Sequence, residues 1–376
     1  MFKFLKNINS EKGKQKVFFD QVSRWYSKYE RYLIPGSLLA GVITDFILFQ
    51  QINLSLAFSI LTFHIVLSGS IIAYRNLYDS HCFGHQRRIL QYLRLFSSMI
   101  LQYSFGALLS GFFVFYWFSG VFSASWPFIL IIIFLMLSND LLKRYYLRLS
   151  VQIAVYYFAV FSWSVLILPF LFRSITVWIF LLSGMLSLII IYLYIFALKS
   201  KVAKIYQKKT TIGYLVISIF ILMNGMYFLN IIPPIPLSMR DAGVYHFVER
   251  VGGEYKVMTE SRSVWQNLFT GNKISLTQGQ PVYVFSSVFA PARMEVDLSH
   301  HWQKYDKNLG WVSRNRVPFK MTGGREEGFR GYSFSRNITS GLYRVDVETS
   351  RGQVIGRIKF EVLIVNSSPK LDVDWK

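Results

Sequence analysis

The sequence predicts an α-helical membrane bundle of about seven transmembrane helices, N-terminus in and C-terminus out, followed by an all-β antiparallel sandwich. Three observations carry this. Seven apolar runs fill the first two-thirds of the chain, each near the roughly 20 residues that cross about 30 Å of hydrocarbon. The lysines and arginines between those runs fall almost entirely on alternate connections. Beyond Pro233 the apolar period shortens to two, the period of strands.

Residues 1–32 come first. Phe18, Val22, Trp25, Tyr26, Tyr29, Tyr32 and Leu33 recur at helical spacing, with Lys14, Lys16, Arg24, Lys28 and Arg31 on other positions. That pattern predicts an amphipathic helix lying in the cytoplasmic interface. No cleavable signal peptide is visible before the first apolar run, which reads as an uncleaved anchor.

The predicted spans are 33–49, 54–74, 95–118, 121–137, 149–172, 177–198 and 212–232. The fourth is interrupted by Trp126 and Pro127. Removing it would move Lys143, Arg144 and Arg148 to the side that otherwise holds almost no cations, so it is kept. The leader and the second, fourth and sixth connections carry the Lys and Arg residues, whereas the other short connections hold only Arg173. Cytoplasmic loops carry such an excess, so the N-terminus is expected inside and everything after 232 outside.

A net charge of +21 and 53% hydrophobic content fit this layout better than a soluble basic protein. About half of the cations flank spans, where anionic lipid headgroups attract them at about 1 kcal/mol each. Lipid is therefore the expected partner of the basic segments, and no nucleic-acid site is expected. Cys82 is the single cysteine, so no intrachain disulfide can form and the outer domain must hold itself by packing.

Polar groups inside spans mark transport paths when they are not structural. Asp45 and His64 are the candidates, with Asn224, Gln102 and Gln152 as neutral additions. A hydrogen bond between the first two helices explains Asp45 and His64 as well as a proton relay does. No internal repeat or pair of broken helices is found.

Residues 233–243, opened by Pro233, Pro234 and Pro236, read as a stiff spacer. Residues 244–280 hold a hairpin, turned at Gly252-Gly253, and a connecting segment. In 281–366 the alternation is clear: Met294, Val296 and Leu298 against Glu295 and Asp297; Tyr343, Val345 and Val347 against Arg344, Asp346 and Glu348; Ile358, Phe360 and Val362 against Arg357, Lys359 and Glu361. About seven such strands predict an immunoglobulin-like antiparallel sandwich, with 367–376 as a tail.

Several of these residues carry a resemblance. Phe289-Ala290-Pro291, His300-His301-Trp302, Gly328-Phe329-Arg330-Gly331-Tyr332-Ser333, Gly341-Leu342-Tyr343-Arg344-Val345, Gly352 and Ile355-Gly356 before Phe360 resemble an uncharacterised bacterial family. It is a domain of unknown function at the C-terminus of multi-spanning inner-membrane proteins. The resemblance covers roughly residues 281–363, and Tyr343 stands where that family has Trp. It implies a cell-envelope location, with the domain periplasmic, and supplies no activity.

The outer domain offers little chemistry. His300 and His301 are adjacent and point to opposite sides of a strand, so they do not share a metal, and no cofactor is implied. In register with Leu298, His300 and Trp302 face the core. No nucleophile, base and orienting group assemble, so the expected function is non-catalytic. The leading expectation is an anchor that presents the sandwich to an envelope protein, glycan or peptidoglycan, with Trp302, Trp311, Arg325 and Arg330 as candidate contacts and Glu326 or Glu327 as internal partners of Arg330. The alternative is a transporter or channel capped by the sandwich, with a path through Asp45, His64 and Asn224.

Overall fold

The structure, a computed structural model of the chain, describes residues 54–80, 88–141, 148–234, 237–260, 272–290, 296–321, 329–336 and 338–376, with isolated helical positions between 21 and 43. Most of the amphipathic segment and of the span at 33–49 lies outside the described residues, as do Asp45, Arg325, Glu326 and Glu327.

The described helices are α1 (Leu54–Asp79), α2 (Arg88–Phe118), α3 (Phe122–Leu141), α4 (Leu149–Phe172), α5 (Val177–Lys199), α6 (Ala203–Gln207) and α7 (Lys209–Phe228). Five of them, α1, α2, α4, α5 and α7, are long and apolar enough to cross a membrane. In α3 the apolar stretch is the shorter Phe122–Ser138, and the helix runs on through Pro127. The seventh apolar run ends earlier than its hydropathy suggests. Asn230 takes φ 56°, its N–H bonds the Tyr227 carbonyl at 3.1 Å, and the Ile231 N–H reaches back to Met226 at 2.9 Å. This left-handed cap stops α7, so Ile231 and Ile232 leave the helix although they are apolar.

The chain divides into two compact units: Met1–Val114 with Ile131–Trp163 and Leu186–Phe220, and Phe115–Leu130 with Ser164–Met185 and Ile221–Lys376. In the first unit α1 is the hydrogen-bonding hub. Trp163 of α4 donates to the Thr62 hydroxyl at 2.9 Å, Ser104 of α2 donates to the His64 carbonyl at 3.0 Å, and Tyr194 of α5 donates to the Gly69 carbonyl at 2.7 Å. Arg75 donates to Ser98 at 2.7 Å, and Arg94 grips Asp79 through two bonds of 2.7 and 3.0 Å. Buried polar groups must find partners, and interhelical ones fix which helix faces meet.

Gly69 of α1 makes room for a side chain of α4, since a Cβ there would stand 2.5 Å from the Tyr156 hydroxyl. Gly69→Val is therefore expected to overpack the contact and cost about 1–3 kcal/mol. The thermal unfolding midpoint of the solubilised protein reads this directly, and an unchanged midpoint would refute so close an approach.

The described residues of the β region form eleven strands, more than the seven expected: β1 (Ser238–Tyr245), β2 (Phe247–Val251), β3 (Glu254–Glu260), β4 (Lys273–Leu276), β5 (Val282–Phe289), β6 (Val296–Asp306), β7 (Gly310–Met321), β8 (Phe329–Ser335), β9 (Gly341–Thr349), β10 (Val354–Ile364) and β11 (Leu371–Trp375). They form three sheets, ordered β1-β5-β8, β4-β10-β9-β6-β7 and β11-β3-β2. The described pairings are antiparallel except β4 with β10, which is parallel, so the expected antiparallel, immunoglobulin-like sandwich is met in part, by a mainly antiparallel, mixed-sheet region that does not close into one sandwich.

One apolar cluster joins the first two sheets. Val282, Val284 and Val288 meet Leu298, Trp302, Tyr343, Val345, Val347, Ile358, Phe360 and Val362, the residues the period-two pattern pointed inward. A smaller cluster, Tyr245, Val248, Tyr255, Val257 and Phe285, seats the third sheet on the outer face of β5. The β2–β3 hairpin turns at Gly252 and Gly253, whose φ of 59° and 101° is what a two-residue turn of this kind requires. β1 begins at Ser238 with Leu237 already buried in the core, so a strand stands in the second half of the expected 233–243 spacer.

Candidate recognition surface

The outer face of the β1-β5-β8 sheet is set by register. Tyr283 pairs with Phe334, Phe285 with Tyr332 and Ser287 with Arg330, and directly opposed residues share a face. Since Val282, Val284 and Val288 point into the core, this second set points away from it. The third sheet covers Phe285 and Tyr245. It leaves Tyr332 and Phe334 on β8 at 38% and 43% exposed.

These rings form a connected patch. Tyr283 lies 5.3 Å from Phe334 and 6.2 Å from Tyr332 between centroids, Tyr255 lies 6.1 Å from Tyr332, and Phe247 lies 5.6 Å from Tyr283. The Arg336 guanidinium sits 5.4 Å from the Phe334 centroid and that of Arg240 sits 5.0 Å from Phe289, so cations border the patch. Arg330 is tied down behind it: its Nη1 donates to the Lys376 carbonyl at 3.1 Å, and its own carbonyl accepts the Tyr255 hydroxyl at 3.1 Å. Aromatic faces held rigidly beside guanidinium groups provide contact area at low entropy cost.

The residues singled out from the sequence are dispersed. Trp302 is 3% exposed inside the core and donates to the Ser333 hydroxyl at 2.9 Å, so it is corrected from contact candidate to core residue. Its register with Leu298 demands this. Trp311 lies on β7, beneath the Arg344 guanidinium at 4.5 Å and edge-on to Tyr305 at 5.3 Å. It belongs to the tip of the β6–β7 hairpin, on a different sheet from Arg330. Asp306 builds that tip by accepting the backbone N–H groups of Asn308 and Leu309 at 2.8 and 3.1 Å, donors that hold its carboxyl below the usual carboxylate range.

His300 and His301 do face opposite ways. His300 is fully buried between Ser286 at 2.7 Å and Ser333 at 2.8 Å, and burial pushes its pKa down to about 4. His301 bonds Ser313 at 2.8 Å and approaches Glu348 at 3.1 Å. Among the described residues no group of three His, Cys, Asp or Glu side chains could hold a metal ion. In the helices, His64 Nδ1 is bonded to Ser104 at 3.2 Å, and Asn224 is half-buried on α7 in the other unit.

Tyr283, Tyr332, Phe334, Arg240 and Arg336 were not signalled. Residues 282–289 read Val-Tyr-Val-Phe-Ser-Ser-Val-Phe, apolar in both registers, so the sequence gives no sign of which set faces out.

Comparison with known proteins adds one firm point. Residues 295–362 match the family described as Protein of unknown function (DUF2914). No curated protein matches the chain. Among solved structures, a β-glucosidase from Listeria innocua in complex with gluconolactone is similar at 12% identity and a TM-score of 0.19, over 32% of this chain and 18% of the enzyme. The chain thus corresponds to under a fifth of that enzyme's length. The Pseudomonas fluorescens alkylpurine DNA glycosylase AlkC bound to DNA is similar at 10% identity and a TM-score of 0.22, over 81% of this chain and 99% of that one. At such scores neither carries an argument about activity.

Proposed function

We propose that this chain is a non-catalytic, multi-pass protein of a bacterial inner membrane, with its N-terminus in the cytoplasm. Its C-terminal β region stands in the periplasm and binds an envelope partner, a protein or a glycan. The observation that carries the reading is the exposed Tyr332, Phe334 and Arg336 patch, a rigid aromatic and cationic surface of the kind enriched at binding sites.

Sidedness has its own support. The described cation-poor connections of the helical region, those after α2, α4 and α7, fall in one unit with the β region. Between α2 and α3, a Cβ on Gly120 would stand 2.7 Å from Pro233, and Ser123 accepts a 2.7 Å bond from Arg357. Between α4 and α5, Ile175 packs against the β core. After α7, Asn230 donates to the Arg351 carbonyl at 3.1 Å, Gln353 donates to the Ile232 carbonyl at 3.2 Å, and the Arg351 guanidinium lies 4.4 Å from the Tyr227 centroid. Connections that share a domain share a side, and their poverty in Lys and Arg supports the reading of that side as the periplasm.

Two measurements test this. A reporter active only in the periplasm, fused after Lys376, is expected to be active, and silence from a stable fusion would overturn the topology. A photoreactive phenylalanine at Tyr332 or Phe334 is expected to capture one specific envelope species in cells, whereas the same probe at Leu309, on the hairpin tip, should not. Identical capture from both places would remove the case for this patch.

A further inference from the structure

We infer that β11 is an open edge that accepts a strand from a partner segment in which basic and apolar residues alternate. This goes beyond the aromatic patch and uses a different surface.

Among the described residues β11 pairs on one side only, with β3. Lys376 and Tyr255 exchange both backbone bonds, each at 2.9 Å, which makes them a hydrogen-bonded pair. Pairs alternate along an antiparallel ladder, so Asp374 with Val257 and Asp372 with Thr259 are also hydrogen-bonded. The intervening Leu371, Val373 and Trp375 therefore direct their N–H and C=O groups away from β3, toward the open edge. The Trp375 N–H is taken by its neighbour, bonding Asp374 Oδ1 at 2.9 Å. Leu371 and Val373 keep both groups directed outward.

Exposed edges invite pairing, and proteins usually blunt them. The long edge strand β7 carries Arg314, Arg316 and Pro318. β11 is exposed along its whole length and carries neither proline nor bulge. Its side chains select the visitor. Leu371, Val373 and Trp375 lie on one face, where Val373 continues through Met258 to Phe247. Asp372 and Asp374 lie on the other.

A second copy of β11 fits poorly. Antiparallel pairing centred on Val373 would set Asp372 against Asp374, and like charges directly opposed are destabilising. A strand presenting Lys or Arg opposite those carboxylates and apolar residues opposite Val373 matches both faces. Strand addition of this kind draws affinity from main-chain bonds and specificity from alternate side chains. Lys376 tempers the acidic face without cancelling it, since its Nζ lies 3.2 Å from Asp241 and 3.9 Å from Asp374.

The test uses the full chain in phosphatidylcholine nanodiscs, where neutral lipid offers a cationic peptide no competing charge. A fluorescent Lys-Val-Lys-Val-Lys-Val peptide is titrated and followed by anisotropy, beside its Glu-Val counterpart. Binding of the first and none of the second is expected, with slowed amide exchange at Leu371 and Val373. Val373→Pro removes an outward N–H without touching the β3 ladder and should weaken binding at least tenfold. Asp372→Asn with Asp374→Asn keeps the edge and should erase the preference for the basic peptide. Equal affinity for both peptides, binding unaffected by both variants, or no change in exchange at 371 and 373 would each overturn the assignment. Capture at Tyr332 and Phe334 is indifferent to these variants, so the two readings fail separately.

Discussion

Replacing Arg357 by Met is expected to destabilise the β region by about 3–5 kcal/mol, a larger loss than any surface substitution should produce. Arg357 binds Asp346 through two parallel bonds, Nε to Oδ1 at 2.6 Å and Nη2 to Oδ2 at 2.7 Å. Both partners are shielded, with side chains 13% and 3% exposed. Removing the guanidinium leaves a carboxylate that water scarcely reaches, with no second ion pair among the described residues although the Arg344 charge still acts on it. The same change breaks the bond to Ser123 at the start of α3. The paired replacement of Arg357 by Met and Asp346 by Leu should recover most of the loss, because a buried ion pair exchanged for well-packed apolar groups is often neutral. Unfolding midpoints of the two variants decide it. If the single variant is as stable as the pair of replacements, Asp346 does not depend on Arg357.

Arg357 and Asp346 also show how far the sequence could be read. Their alternation with Ile358 and Val345 placed β9 and β10 correctly, because a sheet with one buried face leaves a strict period of two. The long helices were legible for a similar reason, since only hydrocarbon-length apolar runs produce that signal. Where a strand is apolar on both faces the signal vanishes, and β5 hid its outward Tyr283 and Phe285 among valines that point inward. Where a strand is polar on one face and short, it reads as a tail, and Leu-Asp-Val-Asp-Trp concealed β11. β1 was lost in a supposed spacer because its run from Ser238 to Val244 contains Arg240, Asp241 and Gly243, and the register shifts between Met239 and Asp241. The parallel pairing of β4 with β10 is a long-range contact with no local trace. At Trp302 register outweighs residue type, and in step with Leu298 the indole lies inside.

The buried imidazole of His300 should make the β region acid-sensitive over a defined window. Its two nitrogens are bonded to Ser286 and Ser333, and the Ser333 hydroxyl also accepts the Trp302 indole N–H. In either neutral tautomer one ring nitrogen donates and the other accepts. Protonation turns both into donors, so the serine hydroxyl hydrogen that pointed at the ring loses its acceptor while a charge enters a buried site. Phe319 packs beside the ring at 4.8 Å between centroids, which adds to its burial. Hence the folded pKa, about 4, lies below the unfolded value of about 6.5. The sign follows: as pH falls, the unfolded chain takes up the proton first, so stability is whole above about 6.5 and is lost progressively down to about 4. The full loss is of order 3 kcal/mol. His300→Gln can keep a donor and an acceptor toward the two serines but cannot titrate. The difference in unfolding midpoint between wild type and this variant, followed from pH 7.5 to 4, should shift against the wild type through that window, whereas a pH-independent difference would show that His300 is not held neutral by its burial.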